Sequence, residues 1–329
     1  MRFLVVGCGS IGKRHLSNLR LLSAGEAIAY DTVQERREEV REKYGVKVFS
    51  DFEKALQNKP DVVLVCTPTS LHMKYALAAG HAGCHLFIEK PISHSMERVD
   101  ELIDIATSKN LITLVGCNFR FHWGLKLVKK LLDEGKIGRL FCVRAEFGQY
   151  LPDWHPWEDY RKGYSANKAL GGGIILDAIH EIDYVQWMIG KVDAVSCFTG
   201  KLSSLDIDTE DIAEILLRSK DGVIANVHMD YVQRVYNRSC ELIGEEGTIT
   251  WSFQDNQVRL YSVKDKEWQL YARDVQYEVN EMYVAEMEHF LRCIKREEQP
   301  VLDANGAKAD LEIVLAAKRS FKSGKTVKL

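Results

Sequence analysis

Apolar residues run along this chain in two rhythms, and the change between them divides it. In the first 120 residues, short unbroken apolar runs alternate with stretches of helical period. The runs at 2–6, 27–30, 47–49, 61–66, 85–88 and 112–115 are β-rich, too short for helices and bounded by glycine, proline or polar residues. They read as strands buried on both faces. Between them, 13–22, 33–44, 51–57, 73–82 and 95–109 carry the spacing of helices. Strand and helix in alternation, with short connections, predict an α/β fold with a doubly wound parallel sheet. From residue 121 the rhythm changes. After a helix at 124–133, alternation of apolar and polar residues marks strands at 140–147, 192–201, 211–218, 223–232, 240–244, 248–253, 258–263 and 268–271. Strands that follow one another without helices predict an open, mostly antiparallel sheet. Helices at 282–296 and 306–322 close the chain. The expected organisation is two domains: a dinucleotide-binding domain at 1–120 and an α+β substrate-binding and oligomerisation domain at 121–329.

One stretch joins pattern to chemistry. Gly171, Gly172 and Gly173 lead into a helical run in which Ile175, Ile179, Ile182 and Ile189 share one face. Asp177, His180, Glu181 and Tyr184 share the other. An acid three residues before a histidine stands beside it, one turn away. It can orient the ring and stabilise its charged form, which suits a histidine that takes and returns a proton. The plainer alternative is a polar helix face turned to solvent. Just upstream, residues 151–165 are long, aromatic and without period. Such a segment inside a domain reads as a binding loop or a packed Ω-loop.

Composition narrows the classes. The chain has 329 residues, 46% apolar and 28% charged, with a net charge of −3. That suits a globular protein with two real cores, and gives no footprint for nucleic acid or a membrane surface. Eight scattered cysteines show no CxxC spacing, and no HxH or HExxH pattern offers a metal site. The expectation is a cytoplasmic protein with reduced thiols, no signal peptide and no membrane span.

The first strand runs straight into Gly7-Cys8-Gly9-Ser10-Ile11-Gly12, and a helix follows. GxGxxG alone is weak; between strand and helix it is specific. Gly7 permits the tight turn, Gly9 lets a pyrophosphate approach the backbone, and Gly12 allows close packing of helix on strand. The helix N-terminus, at Ser10 and Ile11, then faces the phosphate charge. Asp31 ends the second strand, 19 residues past Gly12. There a carboxylate holds the ribose hydroxyls and repels a 2′-phosphate, which favours NAD. Arg36 and Arg37 keep NADP open. Later strands end in Thr67-Pro68-Thr69 with His72, in Glu89-Lys90-Pro91, and in Asn118 with Arg120. Ligands of such sheets bind beyond the carboxyl ends of the strands.

GCGSIG, TPTSLH at 67–72, EKP at 89–91 and the GGG…D…H…D series at 171–183 occur in this order. Together they resemble the glucose-fructose oxidoreductase / inositol dehydrogenase / MocA family of NAD(P)-dependent oxidoreductases. The resemblance implies that Lys90 is the catalytic lysine, that His180 is the general acid/base, and that Asp177 matches the acid before it. It also implies a cis Lys90–Pro91 bond and a second domain used for self-association, hence a homodimer or homotetramer. Here the step from acid to histidine is three residues, where many members have four. The implied reaction moves a hydride between the nicotinamide and a secondary hydroxyl of a sugar, cyclitol or nucleotide sugar. A base near neutral pH takes the proton, and a fixed ammonium steadies the oxygen. The substrate-facing residues are then Lys90, Arg120, Trp157, Tyr160, Arg161, Tyr164, Asp177 and His180. Two other readings fit the same residues: an NAD-dependent glycoside hydrolase using transient oxidation, and a non-catalytic NAD- or sugar-binding regulator.

Overall fold

The computed structural model describes residues 1–154, 156–273 and 277–329. The chain divides into two compact units, Met1–Asn118 with Asn280–Leu311, and Phe119–Val279 with Glu312–Leu329. The first break falls where the rhythm changes. The return of 280–311 to the first unit has no signal in the local pattern.

In the first unit, β1 (Arg2–Val6), β2 (Glu26–Tyr30), β3 (Lys47–Phe49), β4 (Val62–Val65), β5 (His85–Glu89) and β6 (Thr113–Gly116) form one parallel sheet in the order β3-β2-β1-β4-β5-β6. The order reverses between β1 and β4, so the connections leave in opposite directions and a crevice opens at their carboxyl ends. Phe3, Val5, Leu64, Phe87 and Leu114 pack with Leu16 and Leu19 of helix Ser10–Leu21, and with Met287 and Phe290 of helix Asn280–Ile294. The helix expected from residue 95 starts only at Val99, because Arg98 holds φ 60°, outside the helical region.

In the second unit, β7 (Leu140–Gly148), β8 (Val192–Gly200), β9 (Ile212–Ser219), β10 (Ile224–Asp230), β11 (Asn237–Gly244), β12 (Gly247–Ser252), β13 (Gln257–Ser262), β14 (Glu267–Ala272) and β15 (Val327–Lys328) form a nine-stranded sheet. Its order is β14-β13-β12-β11-β7-β10-β9-β8-β15, and only the β7–β10 pair is parallel. Strict alternation along β9 buries Ala213, Ile215 and Leu217 and exposes Glu214, Leu216 and Arg218. The buried side packs on helices Trp123–Asp133 and Ile179–Ile189. Lys318 pairs with Glu210 at 2.9 Å, and Lys328 joins β15 against β8. Among the described residues, no helix is long and apolar enough to cross a membrane.

The outer face of this sheet is polar at its centre. There His228 bridges Asp230 at 3.0 Å and Glu214 at 2.7 Å, and the two carboxylates, Asp230 foremost, raise its pKa to about 9. Because the folded value lies above the unfolded one, this contribution is complete below about pH 6.5 and is lost as pH rises through about 9. Thermal melts between pH 6 and 10 should therefore show a smaller alkaline loss of Tm in His228→Gln than in the native chain. Equal losses would remove His228 from the stability of this face.

Candidate active site

The residues at the carboxyl edge of the parallel sheet follow from steric need. Gly7 holds φ +98°, and a Cβ there would lie 2.5 Å from the Cys66 carbonyl oxygen. A Cβ on Gly12 would lie 1.9 Å from the Gly7 oxygen, whereas one on Gly9 would meet nothing within 4 Å. Thus Gly7 and Gly12 let strand, turn and helix close on one another, and Gly9 lines open space. The helix beginning at Ser10 has no side-chain cap at Gly9, which leaves its first amides for an anion. Asp31 is buried, and its Oδ2 and Oδ1 accept from the amides of Cys8 at 2.7 Å and Val33 at 2.8 Å. Arg37 donates to the Asp31 carbonyl at 2.8 Å, and Arg36 stands 3.9 Å from Oδ2. Thr67 Oγ1 and Asn118 Oδ1 are buried with no partner among the described residues, as suits groups that meet a ligand. These features fit a dinucleotide with its pyrophosphate at Gly9 and its ribose at Asp31.

Pro68 and Thr69 lead into the short turn Thr69–Leu71, which ends at His72. His72 is buried, with Nδ1 2.8 Å from the Pro91 carbonyl and Nε2 2.9 Å from the Thr67 carbonyl. Burial holds its pKa below the ordinary imidazole range, so near neutral pH the ring is uncharged and one nitrogen donates at a time. The ring is thus a brace between the loops after β4 and β5. The Lys90–Pro91 bond is cis. Glu89 Oε1 lies 2.6 Å from His15 Nε2, a buried link from the β5 end to the first helix. Helix Asn280–Ile294 adds Tyr283, whose ring lies 4.3 Å beneath Arg14. Burial raises the Tyr283 pKa, and the charges of Glu89 and Lys90 bear on it. Nothing local in the sequence ties Tyr283 to the EKP corner.

The second unit holds the histidine. The continuous helix expected across Asp177 and His180 is broken. Ile174–Asp177 and Ile179–Ile189 are separate helices hinged at Ala178, with φ −92° and ψ 32°. The polar side does not face solvent: Asp177, His180, Glu181, Asp183 and Tyr184 are all buried. The three glycines serve close packing. A Cβ on Gly172 would lie 2.1 Å from the Tyr164 carbonyl oxygen, and one on Gly173 would lie 2.5 Å from the Glu210 carboxylate. Asp177 accepts from the Tyr164 hydroxyl, from Ser165 Oγ at 2.5 Å and from the Tyr231 hydroxyl at 3.0 Å. The His180 ring packs on Phe119, centroids 5.0 Å apart. Arg120 binds Asp183 through two nitrogens, the shortest contact 2.7 Å. Arg238 pairs with Glu181 at 2.8 Å.

The 151–165 segment is packed at its ends and open in its middle. Leu151 donates to the Tyr231 carbonyl at 2.9 Å, and Trp154 packs on Phe147 and Tyr231. Tyr160 accepts from the Asp206 amide at 3.2 Å, Arg161 is tied to Asp159 at 2.7 Å, and Trp157 is 75% exposed. Of these candidates, Tyr164 is brought to Asp177; His155 lies outside the described residues. Sequence reasoning missed Ser165, Tyr231 and Arg238, which arrive from other strands and loops.

The glycine turn and the acidic strand end are those of a dinucleotide-binding fold. Comparison with known proteins agrees. Residues 1–117 match the oxidoreductase family described by its NAD-binding Rossmann fold, and residues 125–250 match the GFO/IDH/MocA C-terminal domain. The chain is 30% identical to the myo-inositol 2-dehydrogenase of Thermotoga maritima, over 100% of its own length and 98% of that protein. It is 25% identical to the scyllo-inositol 2-dehydrogenase (NAD(+)) of Bacillus subtilis, over 100% and 96%. Among solved structures, levoglucosan dehydrogenase in complex with NADH and levoglucosan superposes with TM-score 0.90 at 21% identity, covering 100% of this chain and 98% of that one. The chain belongs to the Gfo/Idh/MocA family of oxidoreductases, and residues 1–117 match its NAD-binding domain.

The glycine geometry separates binding from folding. Gly9→Ala should weaken NADH binding by about tenfold or more, or at least 1.4 kcal/mol, with Tm unchanged. Gly12→Ala should lower both. Titration of NADH fluorescence alongside thermal melts checks this; unaltered NADH affinity in Gly9→Ala would place the pyrophosphate elsewhere.

Proposed function

We propose that this protein is an NAD-dependent dehydrogenase of an uncharged cyclitol or sugar, with Lys90 steadying the reacting oxygen and His180 carrying its proton. The observation that carries the substrate class is the pairing of the arginines. Arg120 is held by Asp183, Arg238 by Glu181 and Arg161 by Asp159. An acidic sugar or a nucleotide sugar needs cations for its carboxylate or phosphates. Hydroxyl recognition needs neutral donors and acceptors, and Tyr164, Ser165 and Tyr231 gather at Asp177. The relation to two inositol dehydrogenases over nearly their whole length supports the same class.

Bound NAD supplies the hydride acceptor. The neutral His180 imidazole takes the hydroxyl proton as the hydride leaves carbon, and the Lys90 ammonium stabilises developing alkoxide charge. Asp177, bound by three hydroxyls, orients Tyr164, whose oxygen can accept from a substrate hydroxyl. His72 braces the loop that carries Lys90, through the Pro91 carbonyl. The eight cysteines are free thiols, which suits a reducing cytoplasm.

A second copy of the chain suits the outer sheet face. Its two ends are apolar, with exposed Phe198, Leu216 and Ile224 at one and Trp268 and Leu270 at the other. A two-fold axis lying between the two sheets and running along their strands would lay one end on the other.

Two measurements test this reading. With NAD, absorbance at 340 nm should rise with inositols or free sugars and not with UDP-sugar acids. Lys90→Ala should lose turnover by about a thousandfold, and His180→Asn by about a hundredfold or more, with NADH binding kept. Preference for a UDP-sugar acid would overturn the substrate class, and glycoside cleavage without net NADH would make the protein a redox-neutral hydrolase. In the second measurement, Leu216→Asp with Leu270→Asp should shift the chain to monomer in light scattering; an unchanged mass would move the interface off this face.

A further inference from the structure

Beside His180 lies an ion pair that the proposed mechanism leaves unused. Glu181 and Arg238 meet at 2.8 Å, with side chains 0% and 10% exposed. The Arg238 guanidinium lies between two aromatic faces, 4.2 Å from the Phe119 centroid and 4.1 Å from that of Phe147. Phe119 is also the ring on which His180 packs, at 5.0 Å and 56°. Glu181 is the next residue to His180 along the chain. Each charge therefore has a short path to the imidazole: one through the backbone, one through a single phenyl ring. Both steps through Phe119 fit within about 10 Å, the screening length of 0.1 M salt, and the intervening medium is buried carbon.

Burying two charges is expensive, and an apolar pair of similar volume often stabilises as well or better. Packing alone does not call for this pair. We infer that Glu181 and Arg238 are positioning residues that balance the field at His180 and so set the pH at which it works. The inference rests on His180 as the proton-carrying group.

Several other ionisable neighbours in this unit are matched or neutral. Asp183 is bound to Arg120, and Asp177 to three hydroxyls. Burial raises the pKa of Tyr184, Tyr231 and Tyr236, so all three are uncharged near neutral pH. His122 packs on the same Phe119, at 6.2 Å. Helix Trp123–Asp133 brings Lys129, which is engaged by Asp133 and stands over Trp187. The strands behind the helix, β7 and β10, bury Val143, Ala145, Phe147, Val227 and Met229. Glu181 and Arg238 are thus the balanced pair whose halves can be removed one at a time.

The signs are opposite, which a purely structural role would not produce. In Arg238→Met the Glu181 charge remains, the imidazolium is favoured, and the acid limb of kcat/KM moves up by about one pH unit. In Glu181→Gln the guanidinium remains, the imidazolium is disfavoured, and the limb moves down by about the same amount. The double variant Glu181→Gln/Arg238→Met returns the limb to its native position, as does the charge-keeping Arg238→Lys. The pH profiles would be run on the full-length protein with NAD and the preferred substrate, with circular dichroism and NADH binding as controls for folding. Should a single variant fail to fold, NMR titration of His180 in the double variant decides, since an unmoved pKa is then required. Parallel shifts in the two single variants, no shift in either, or a displaced double variant would overturn the inference. Full activity in His180→Asn would instead overturn the role of the histidine itself, so the two failures are distinguishable.

Discussion

Three carboxylates and an imidazole fall within seven consecutive residues, 177 to 183, and all of them are buried. Taking a charge out of water costs far more than a domain's net stability can absorb unless each charge meets a partner. The second unit is organised around meeting that demand. The 151–165 segment ends in Tyr164 and Ser165 at Asp177, while the loop after β10 brings Tyr231 to the same carboxylate. Arg120 comes forward for Asp183, and β11 places Arg238 on Glu181. Glycine at 172 and 173 is required because the backbone of 164–167 and the Glu210 carboxylate press against this corner. Segments far apart in sequence are thus pinned to one short stretch, and the protein gains a site whose geometry is over-determined.

The two units differ in how much of this the sequence discloses. In the first, the chemistry is local. The turn, the helix and the acid of the dinucleotide site lie within 25 residues of one another, and their roles follow from backbone sterics. Strand positions were legible for the same reason: apolar runs buried on both faces admit few other conformations. In the second unit the strands were legible from alternation, and the acids and His180 from spacing. Their partners were not. Ser165, Tyr231 and Arg238 carry no periodic or motif signal, and their contacts are made by tertiary folding. The same holds for Tyr283 at the EKP corner and for the return of 280–311 to the first unit. The break at Ala178 was also hidden, since an isoleucine-rich run reads as unbroken helix when only its periodicity is weighed.

The sequence left the choice of cofactor open between Asp31 and its neighbouring arginines, and the geometry ranks them. Two backbone amides fix the Asp31 carboxylate, one from the glycine turn and one from the start of the next helix. It cannot swing aside for a phosphate without leaving both amides unpaired. Arg37 is spent on the Asp31 carbonyl, where it reinforces the same corner. Arg36 is the more exposed group, its side chain about half exposed and 3.9 Å from the carboxylate. Its charge offsets part of the repulsion Asp31 would exert, but a surface cation in water contributes little beside a buried, hydrogen-bonded anion. The fixed carboxylate therefore outweighs the surface cation at this corner, which accords with an NAD-binding domain. Both units thus follow one physical rule: a buried carboxylate is fixed by donors from its own fold and limits what its neighbours are free to meet.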